Sequence, residues 1–205
     1  MKHTAAGAAA IIGVGALTLF GVGTASADPA TLTWNDGQTQ FVRTISNATP
    51  AVGDTITVTT AIYRTQTPDV TFNWLKDFHP SCLTYVSGSA KLTDAAGAHQ
   101  IEPWLELNPN YIAADFVADG LKVVVKAGSG QTAPVFSAQY KVGACTPGTS
   151  LTTGIAYSQA GVGVWDADST KGPSITVGGT PGGGTGGDSG SSSLTSLLGG
   201  FGSSK

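Results

Sequence analysis

The stretch TITVTTAIYR, Thr55–Arg64, alternates between two kinds of side chain. One parity holds Ile56, Val58, Thr60 and Ile62, and the other holds Thr55, Thr57, Thr59 and Ala61. Successive residues of a β-strand point to opposite faces, so a period of two is typical of a half-buried strand. Threonine suits the exposed face because its branched Cβ favours extended backbone. The stretch therefore predicts a strand and assigns no chemistry to its threonines.

The same alternation recurs along the body of the chain, clearest in LKVVVK (residues 121–126) and FSAQYKV (residues 136–142). Less regular strand candidates lie at residues 32–34, 40–45, 70–75, 83–86, 90–93, 111–116, 151–157 and 174–177. Turn signals such as NDG, NPN and PG separate them, and no long amphipathic helix is predicted. Many short strands predict an all-β fold, an immunoglobulin-like antiparallel β-sandwich. A closed β-barrel is the alternative that this pattern leaves open.

The two ends of the chain differ in composition from the body. Lys2 and His3 precede an apolar run, and Ala25 and Ala27 form an A-x-A site, which predicts a secretory signal peptide over residues 1–27. A membrane anchor is the alternative, since about eighteen apolar residues just span a bilayer. We expect residues 28–177 to form the β-sandwich domain and residues 178–193, rich in Gly and Ser, a disordered linker. Residues 194–205 form a short apolar tail, either disordered or a tethered docking peptide.

The signal peptide places the mature chain outside the cytoplasm, in the medium or the cell envelope, with no transmembrane span after cleavage. Disulfides persist in such oxidising compartments, and Cys82 and Cys145 are the only cysteines, so we predict that they form one. Closing a loop of about sixty residues stabilises the fold by roughly 4 kcal/mol. The alternative, a reactive thiol pair, lacks C-x-x-C spacing.

Two segments carry a resemblance to a known family. PAVGDTITVTTAIY opens with Pro50, Gly53 and Asp54, and LTYVSGSAKLTD contains a Tyr-Val-x-Gly-Ser strand at residues 85–89. Over residues 41–94 the chain resembles the prokaryotic conserved-repeat domain of bacterial surface proteins, an immunoglobulin-like family of unknown function. It departs from that pattern at residues 64–66 and at the turn around His79. The resemblance implies an extracellular spacer, wall or adhesion module and brings no catalytic residues.

Some surface sandwiches of this kind carry an intramolecular isopeptide bond from a buried lysine. Arg43 stands at the opening of the matching segment, and its guanidinium does not serve as that nucleophile. Lys76, Lys91, Lys122 and Lys141 are the other lysines open to such a bond, but their neighbours predict solvent-facing positions, so we expect no isopeptide bond.

Catalytic and metal-binding equipment is sparse in the sequence. The mature chain has only His79 and His99 as imidazole bases, and we interpret His79 as a surface turn residue. It contains no G-x-S-x-G, H-E-x-x-H or P-loop motif. The net charge of -3 and 11% charged residues provide no electrostatic footprint for nucleic acid. We therefore predict no enzyme, no catalytic residue, no metal site and no cofactor.

Aromatic residues are the strongest candidates for ligand contact. Trp74, flanked by Phe72 and Leu75, is expected in the core. IEPWLELNPNY differs because its Pro-Trp step lies in a loop-like segment. A loop Trp most often folds back over the core, and the alternative is that Trp104 is exposed near Tyr111 as a platform for a ligand. The expected function is a secreted or envelope-associated, non-enzymatic structural or adhesive module whose partner is an unknown protein or cell-wall polymer. The alternative is a carbohydrate-binding module that uses Trp104 and Tyr111.

Overall fold

The computed structural model describes residues 28–160 and 165–178. The segment TITVTTAIYR forms β3 (Thr55–Arg64), which lies in the middle of the larger sheet. The other members of this first sheet are β1 (Ala30–Asp36), β2 (Thr39–Ile45), β5 (Leu83–Tyr85), β6 (Lys91–Asp94), β7 (Gly97–Gln100) and β11 (Val135–Val142). Their order is β1-β2-β3-β11-β6-β7, with β5 also pairing with β11.

A second sheet faces the first across the core. Its members are β4 (Val70–Phe78), β8 (Leu105–Asn108), β9 (Tyr111–Asp115), β10 (Val123–Val125), β13 (Gly154–Ala160) and β14 (Trp165–Asp168). Their order is β14-β13-β4-β9-β8, with β10 pairing with the far end of β4. A short pair, β12 (Ser150–Leu151) and β15 (Ile175–Thr176), and a 3-10 turn, Glu102–Trp104, complete the described elements.

All ladders between these strands are antiparallel, and the inner faces of the two sheets form one apolar core. In β3 the residues on the same face as Ile56 are buried, and those on the face of Thr55 are more exposed to solvent, as the sequence predicts. The predicted all-β antiparallel sandwich is confirmed. In the described part of the chain the two sheets remain separate, each with its own edges, rather than closing into the barrel that the pattern left open.

The predicted disulfide is also confirmed. Cys82 and Cys145 are joined, with their Cα atoms 5.2 Å apart. Cys82 lies just before β5 and Cys145 just after β11, two strands that pair with each other. Gly143 N also donates a hydrogen bond to Cys82 O at 2.8 Å, so the crosslink continues an existing backbone contact.

The expectation that Trp74 lies in the core was wrong. The ladder between β4 and β13 shifts so that Trp74 lies opposite Ser158 while Phe72 lies opposite the next residue, Gln159. Asn73 is thus an extra residue, a β-bulge that reverses the side-chain parity of the strand. Phe72 and Leu75 both remain buried, and Trp74 is half-buried on the outer face.

Several sequence predictions fall wholly or largely outside the described residues. These are the signal peptide (1–27), the linker (178–193) apart from Gly178, and the apolar tail (194–205). Gly178 itself still contacts the body, because its N–H donates to Pro50 O at 2.9 Å. Among the residues that are described, no helix has the length and apolar character needed to cross a bilayer.

Candidate functional site

The outer face of the second sheet carries a groove between β4 and the strands beside it. Trp74 and Lys76 of β4 lie directly opposite Asp115 and Ala113 of β9. Because directly opposite residues share a face of the sheet, the small Ala113 leaves a depression between larger neighbours. The depression has a volume of about 500 Å³, and its walls include Trp104 and the edge-strand residue Glu106. We call it the aromatic groove.

Trp104 is the most exposed aromatic side chain of this groove, with 45% of its surface accessible. It ends the 3-10 turn, where its N–H donates to Ile101 O at 3.2 Å. Ile101 is buried in the core and anchors the turn. A proline near the start of the turn costs no hydrogen bond, because the first N–H groups of such a turn have no internal acceptor. The segment thus holds Trp104 against the sheet with its side chain partly in solvent.

Tyr111 lies beside the aromatic groove and contacts two of its residues. Lys76 Nζ is 3.8 Å from the centroid of the Tyr111 ring, within range of a cation–π contact. The Tyr111 hydroxyl donates to Glu106 Oε1 at 2.6 Å, and this hydrogen bond raises the pKa of Tyr111. The Phe78 ring packs against Tyr111 in an edge-to-face contact. Tyr111 therefore positions Lys76 and Glu106 at the groove, whereas Trp104 lines it directly.

The groove combines two indole rings with a few charged groups at its margins. Lys76 supplies a cation, and Glu106 and Asp115 supply carboxylates. Ligand sites are commonly apolar or aromatic surfaces with a small number of polar groups that set orientation. This arrangement suits binding by ring contact and hydrogen bonding. Whether Trp104 and Tyr111 contact a ligand remains a prediction.

A buried ionic cluster lies between the sheets, and the sequence analysis missed it. Arg43 of β2 and Asp77 of β4 are both fully buried, with Arg43 Nη2 2.5 Å from Asp77 Oδ1. Arg43 Nη1 donates to Thr60 Oγ1 at 2.9 Å, and Arg43 Nε to Thr153 Oγ1 at 3.3 Å. The Thr153 hydroxyl in turn donates to Pro173 O at 2.9 Å. The guanidinium therefore connects both sheets and the segment before β15.

A signal for this cluster was present in the sequence. Arg43 shares the parity of Phe41 and Ile45, and Thr60 shares that of its buried neighbours in β3. A cation placed on the apolar parity of a strand needs a buried counter-charge. Asp77 supplies that counter-charge. Its burial was not predictable from the sequence, because the bulge at Asn73 reverses which residues of β4 face the core.

His79 is buried rather than a surface turn residue, which corrects the interpretation from sequence. Its ring lies 4.6 Å from that of Tyr140, and Nδ1 hydrogen-bonds to Pro80 O at 3.0 Å. Burial lowers the pKa of His79 and raises that of Tyr140 well above its usual range. The Asp77 carboxylate opposes the first effect because it favours the imidazolium. It adds to the second because it disfavours the phenolate. Nε2 has no hydrogen-bond partner in the described part of the molecule. Being enclosed, Nε2 is not offered to a substrate.

A second cavity, of about 770 Å³, adjoins the disulfide and His79. Its walls include Pro80, Cys82, Asn110 and Cys145. His99 does not line this cavity and is bonded to Asp94, with Nε2 3.0 Å from Oδ1. Among the described residues, no group of three or more His, Cys, Asp or Glu side chains is arranged to hold a metal.

The buried imidazole of His79 makes the stability of the fold depend on pH. The pKa of His79 is lowered in the folded state from the ordinary value of 6.5, so the unfolded chain binds more protons below that value. We expect the free energy of unfolding to fall as pH drops below 6.5 and to level off below the folded-state pKa. Urea unfolding between about pH 5 and pH 8, the range over which histidine titrates, measures this. His79→Gln should flatten the slope and His99→Gln should preserve it; equal slopes in all three proteins would contradict the assignment.

No protein-family model matches the sequence. No curated protein matches it either. Among solved structures, the chain is similar to a protein from Corynebacterium diphtheriae described as membrane anchored, with 12% identity over 77% of this chain and a TM-score of 0.46. It is also similar to the T6 backbone pilin of Streptococcus pyogenes serotype M6, with 13% identity over 74% of this chain and a TM-score of 0.43.

A further similar structure is the collagen-binding domain of the Erysipelothrix rhusiopathiae surface protein RspB, with 13% identity over 73% of this chain and a TM-score of 0.37. The three alignments take in 37%, 35% and 55% of those chains, so this chain spans less than two thirds of each. A likeness this distant carries no argument about function.

Proposed function

We propose that this protein is an exported, non-enzymatic β-sandwich of the cell envelope or the extracellular medium, and that it acts by contact with a partner. The contact surface is the outer face of the second sheet, centred on the aromatic groove. The partner is a protein or an envelope polymer. The expected signal peptide over residues 1–27 supports the location, as does the sequence resemblance of residues 41–94 to the prokaryotic conserved-repeat domain.

One observation carries the proposal: Trp104 remains 45% exposed although the protein has a well-filled core. Two indole rings that line one surface depression, one of them partly exposed, form an apolar patch of the kind that marks interaction sites. Tryptophan is also enriched among residues that dominate binding energy at interfaces. The groove is thus the place where a partner gains most from covering this surface.

A carbohydrate polymer is the second candidate partner, and the types of side chain in the groove support it. Sugar rings present flat C–H faces that stack on indole rings and hydroxyls that bond to nearby carboxylates. Trp104 and Trp74 supply the rings, and Glu106 and Asp115 supply acceptors within the same groove. Tyr111 contributes by holding Glu106 through its hydroxyl.

The test is binding of the purified mature chain to isolated cell-wall sacculi in a sedimentation assay. We expect Trp104→Ala to weaken binding at least tenfold, because truncating one central aromatic anchor commonly costs more than about 1.4 kcal/mol. Tyr63→Ala is the matched control, since Tyr63 is 40% exposed but lies on β3 of the other sheet. That variant should bind like the wild type.

Competition distinguishes the two kinds of partner. Soluble wall oligosaccharides should displace the protein if the polymer is the ligand. Protease treatment of the sacculi should abolish binding if a wall protein is the ligand. Equal binding by wild type and Trp104→Ala would remove the groove as the contact surface.

A further inference from the structure

Strand β1 is the longest edge strand of the described sheets. It runs for seven residues, ATLTWND, and among the described elements it pairs with β2 alone. The other edge strands β7, β8 and β14 each have four residues. Proteins usually protect sheet edges with lysine, proline, bulges or very short strands. Residues 30–35 contain no lysine or proline, and the register with β2 runs without a bulge.

The hydrogen-bonding parity of the sheet shows which backbone groups of β1 are free. Ser46 N donates to Thr57 O, and Thr65 N donates to Gln38 O, so even-numbered residues of β2 bond to β3. In an antiparallel ladder the alternate residues bond to the opposite neighbour. Odd-numbered residues of β2 therefore bond to β1, where they lie opposite Ala30, Leu32, Trp34 and Asp36. The remaining residues of β1, Thr31, Thr33 and Asn35, direct their N–H and C=O groups outwards.

We propose that β1 pairs with β1 of a second copy of this chain, antiparallel and in register about Thr33. Thr33 then lies opposite its own equivalent, and Thr31 lies opposite Asn35 of the second copy. All three positions are the ones with free backbone groups, so the pairing makes about six N–H···O=C bonds. A shift by one residue would place these groups out of phase. The two first sheets join into one continuous sheet across a two-fold axis.

The side chains on the inner side of β1 fit the same register. Leu32 of each copy lies opposite Trp34 of the other, which gives two symmetric pairs. Both are closely spaced non-hydrogen-bonded pairs. Leu32 is 39% exposed in the single chain, and Trp34 is half-buried and stacks on Phe41 with ring centroids 5.2 Å apart. Pairing covers both apolar side chains of each copy. Burial of this surface adds to the backbone bonds.

Charge does not oppose the pairing. Asp36 is the only ionisable residue of β1, and its carboxylate accepts a hydrogen bond from the Tyr157 hydroxyl within its own chain. In the proposed register Asp36 lies opposite Ala30 of the second copy rather than another acid. The strand is therefore self-complementary in backbone, apolar and charged groups, which is the reason a second copy fits better than an unrelated segment.

Crosslinking tests the register directly. In the mature chain Thr33→Cys brings two equivalent Cα atoms to about 5.5 Å, within disulfide range. We expect mild oxidation to yield mostly covalent dimer for Thr33→Cys and at least tenfold less for Thr31→Cys, whose own equivalent is not opposite. Peptide mapping verifies that Cys82–Cys145 stays intact. Equal crosslinking of the two variants, or none, would overturn the register.

Association without new thiols supplies the independent measurement. Sedimentation equilibrium of the mature chain should show a monomer–dimer equilibrium that Thr33→Pro weakens at least tenfold, because proline removes both bonds of the central pair. Thr33→Lys should also weaken association. Thr55→Lys is its matched control and should not, because β3 already has a neighbouring strand on each side. A wild-type monomer at all concentrations, or equal association of every variant, would overturn the proposal. Near-UV circular dichroism confirms that each variant is folded.

Discussion

Arg43→Met is expected to lower the free energy of unfolding by about 3–5 kcal/mol. The substitution leaves the fully buried carboxylate of Asp77 without its counter-charge, 2.5 Å away in the wild type. It also removes the donors to Thr60 and Thr153. Burying an uncompensated charge costs several times more than losing a surface ion pair. Urea unfolding at pH 7, followed by circular dichroism, measures the loss.

The matched control is Arg64→Met at the end of β3. Arg64 bonds to Pro68 O and to the neutral side chains of Thr39 and Gln38 near the surface, so its loss should cost about 1 kcal/mol. The double variant Arg43→Met with Asp77→Leu removes both charges and should recover most of the stability lost in the single variant. A single variant as stable as the control would show that the ion pair does not hold the sheets together.

Replacing both Cys82 and Cys145 by alanine is the second large effect, and we expect it to lower the free energy of unfolding by about 4 kcal/mol. The bridge spans 63 residues, so its loss restores much conformational entropy to the unfolded chain. It also joins two segments that already pair through β5 and β11, so the folded state needs little rearrangement without it. Urea unfolding measures the difference.

Wild-type protein unfolded in reducing agent should match the double variant, because both lack the same covalent link. If the double variant lost less than about 1 kcal/mol, the entropic account of this bridge would fail. If reduced wild type were much more stable than the double variant, the alanines rather than the missing bond would be responsible.

Only part of the buried ionic cluster could be predicted from the sequence. The parity of Arg43 in β2 placed a charge on an apolar face, which is a readable signal. Its partner, Asp77, lies 34 positions away on the facing sheet. No local pattern connects the two, because their contact depends on how one sheet lies over the other.

The aromatic groove shows the same limit. The Pro-Trp step raised an exposed Trp104 only as the alternative to a ring folded over the core, and 45% of its surface is exposed in the structure. Trp74 joined it only because Asn73 adds a bulge to β4, which turns the following side chains over. The position of a bulge depends on how a strand pairs with its neighbour. The alternation of residues along one strand contains no information about that pairing.

The short edge strands β7, β8 and β14 were also absent from the predicted strands. The segment GAHQ lacks the apolar alternation that identifies a strand, and LELN and WDAD show it over only four residues, the shortest run that a period-two pattern can indicate. Their extended backbone comes from hydrogen bonds to a neighbouring strand that is already in place. For the groove this matters because β8 supplies Glu106, which Tyr111 then holds.

Sequence alone determined the strand-rich body, the single disulfide and the burial of one face of β3. Hydrophobic alternation is a local property of each strand, and two cysteines have only one possible pairing within the chain. Tertiary structure decided the pairing of Arg43 with Asp77, the position of Trp74 and the free backbone groups of β1. Each of these depends on register between strands far apart in the chain. Register is a property of the assembled sheets, and a shift of one residue reverses every side chain of a strand.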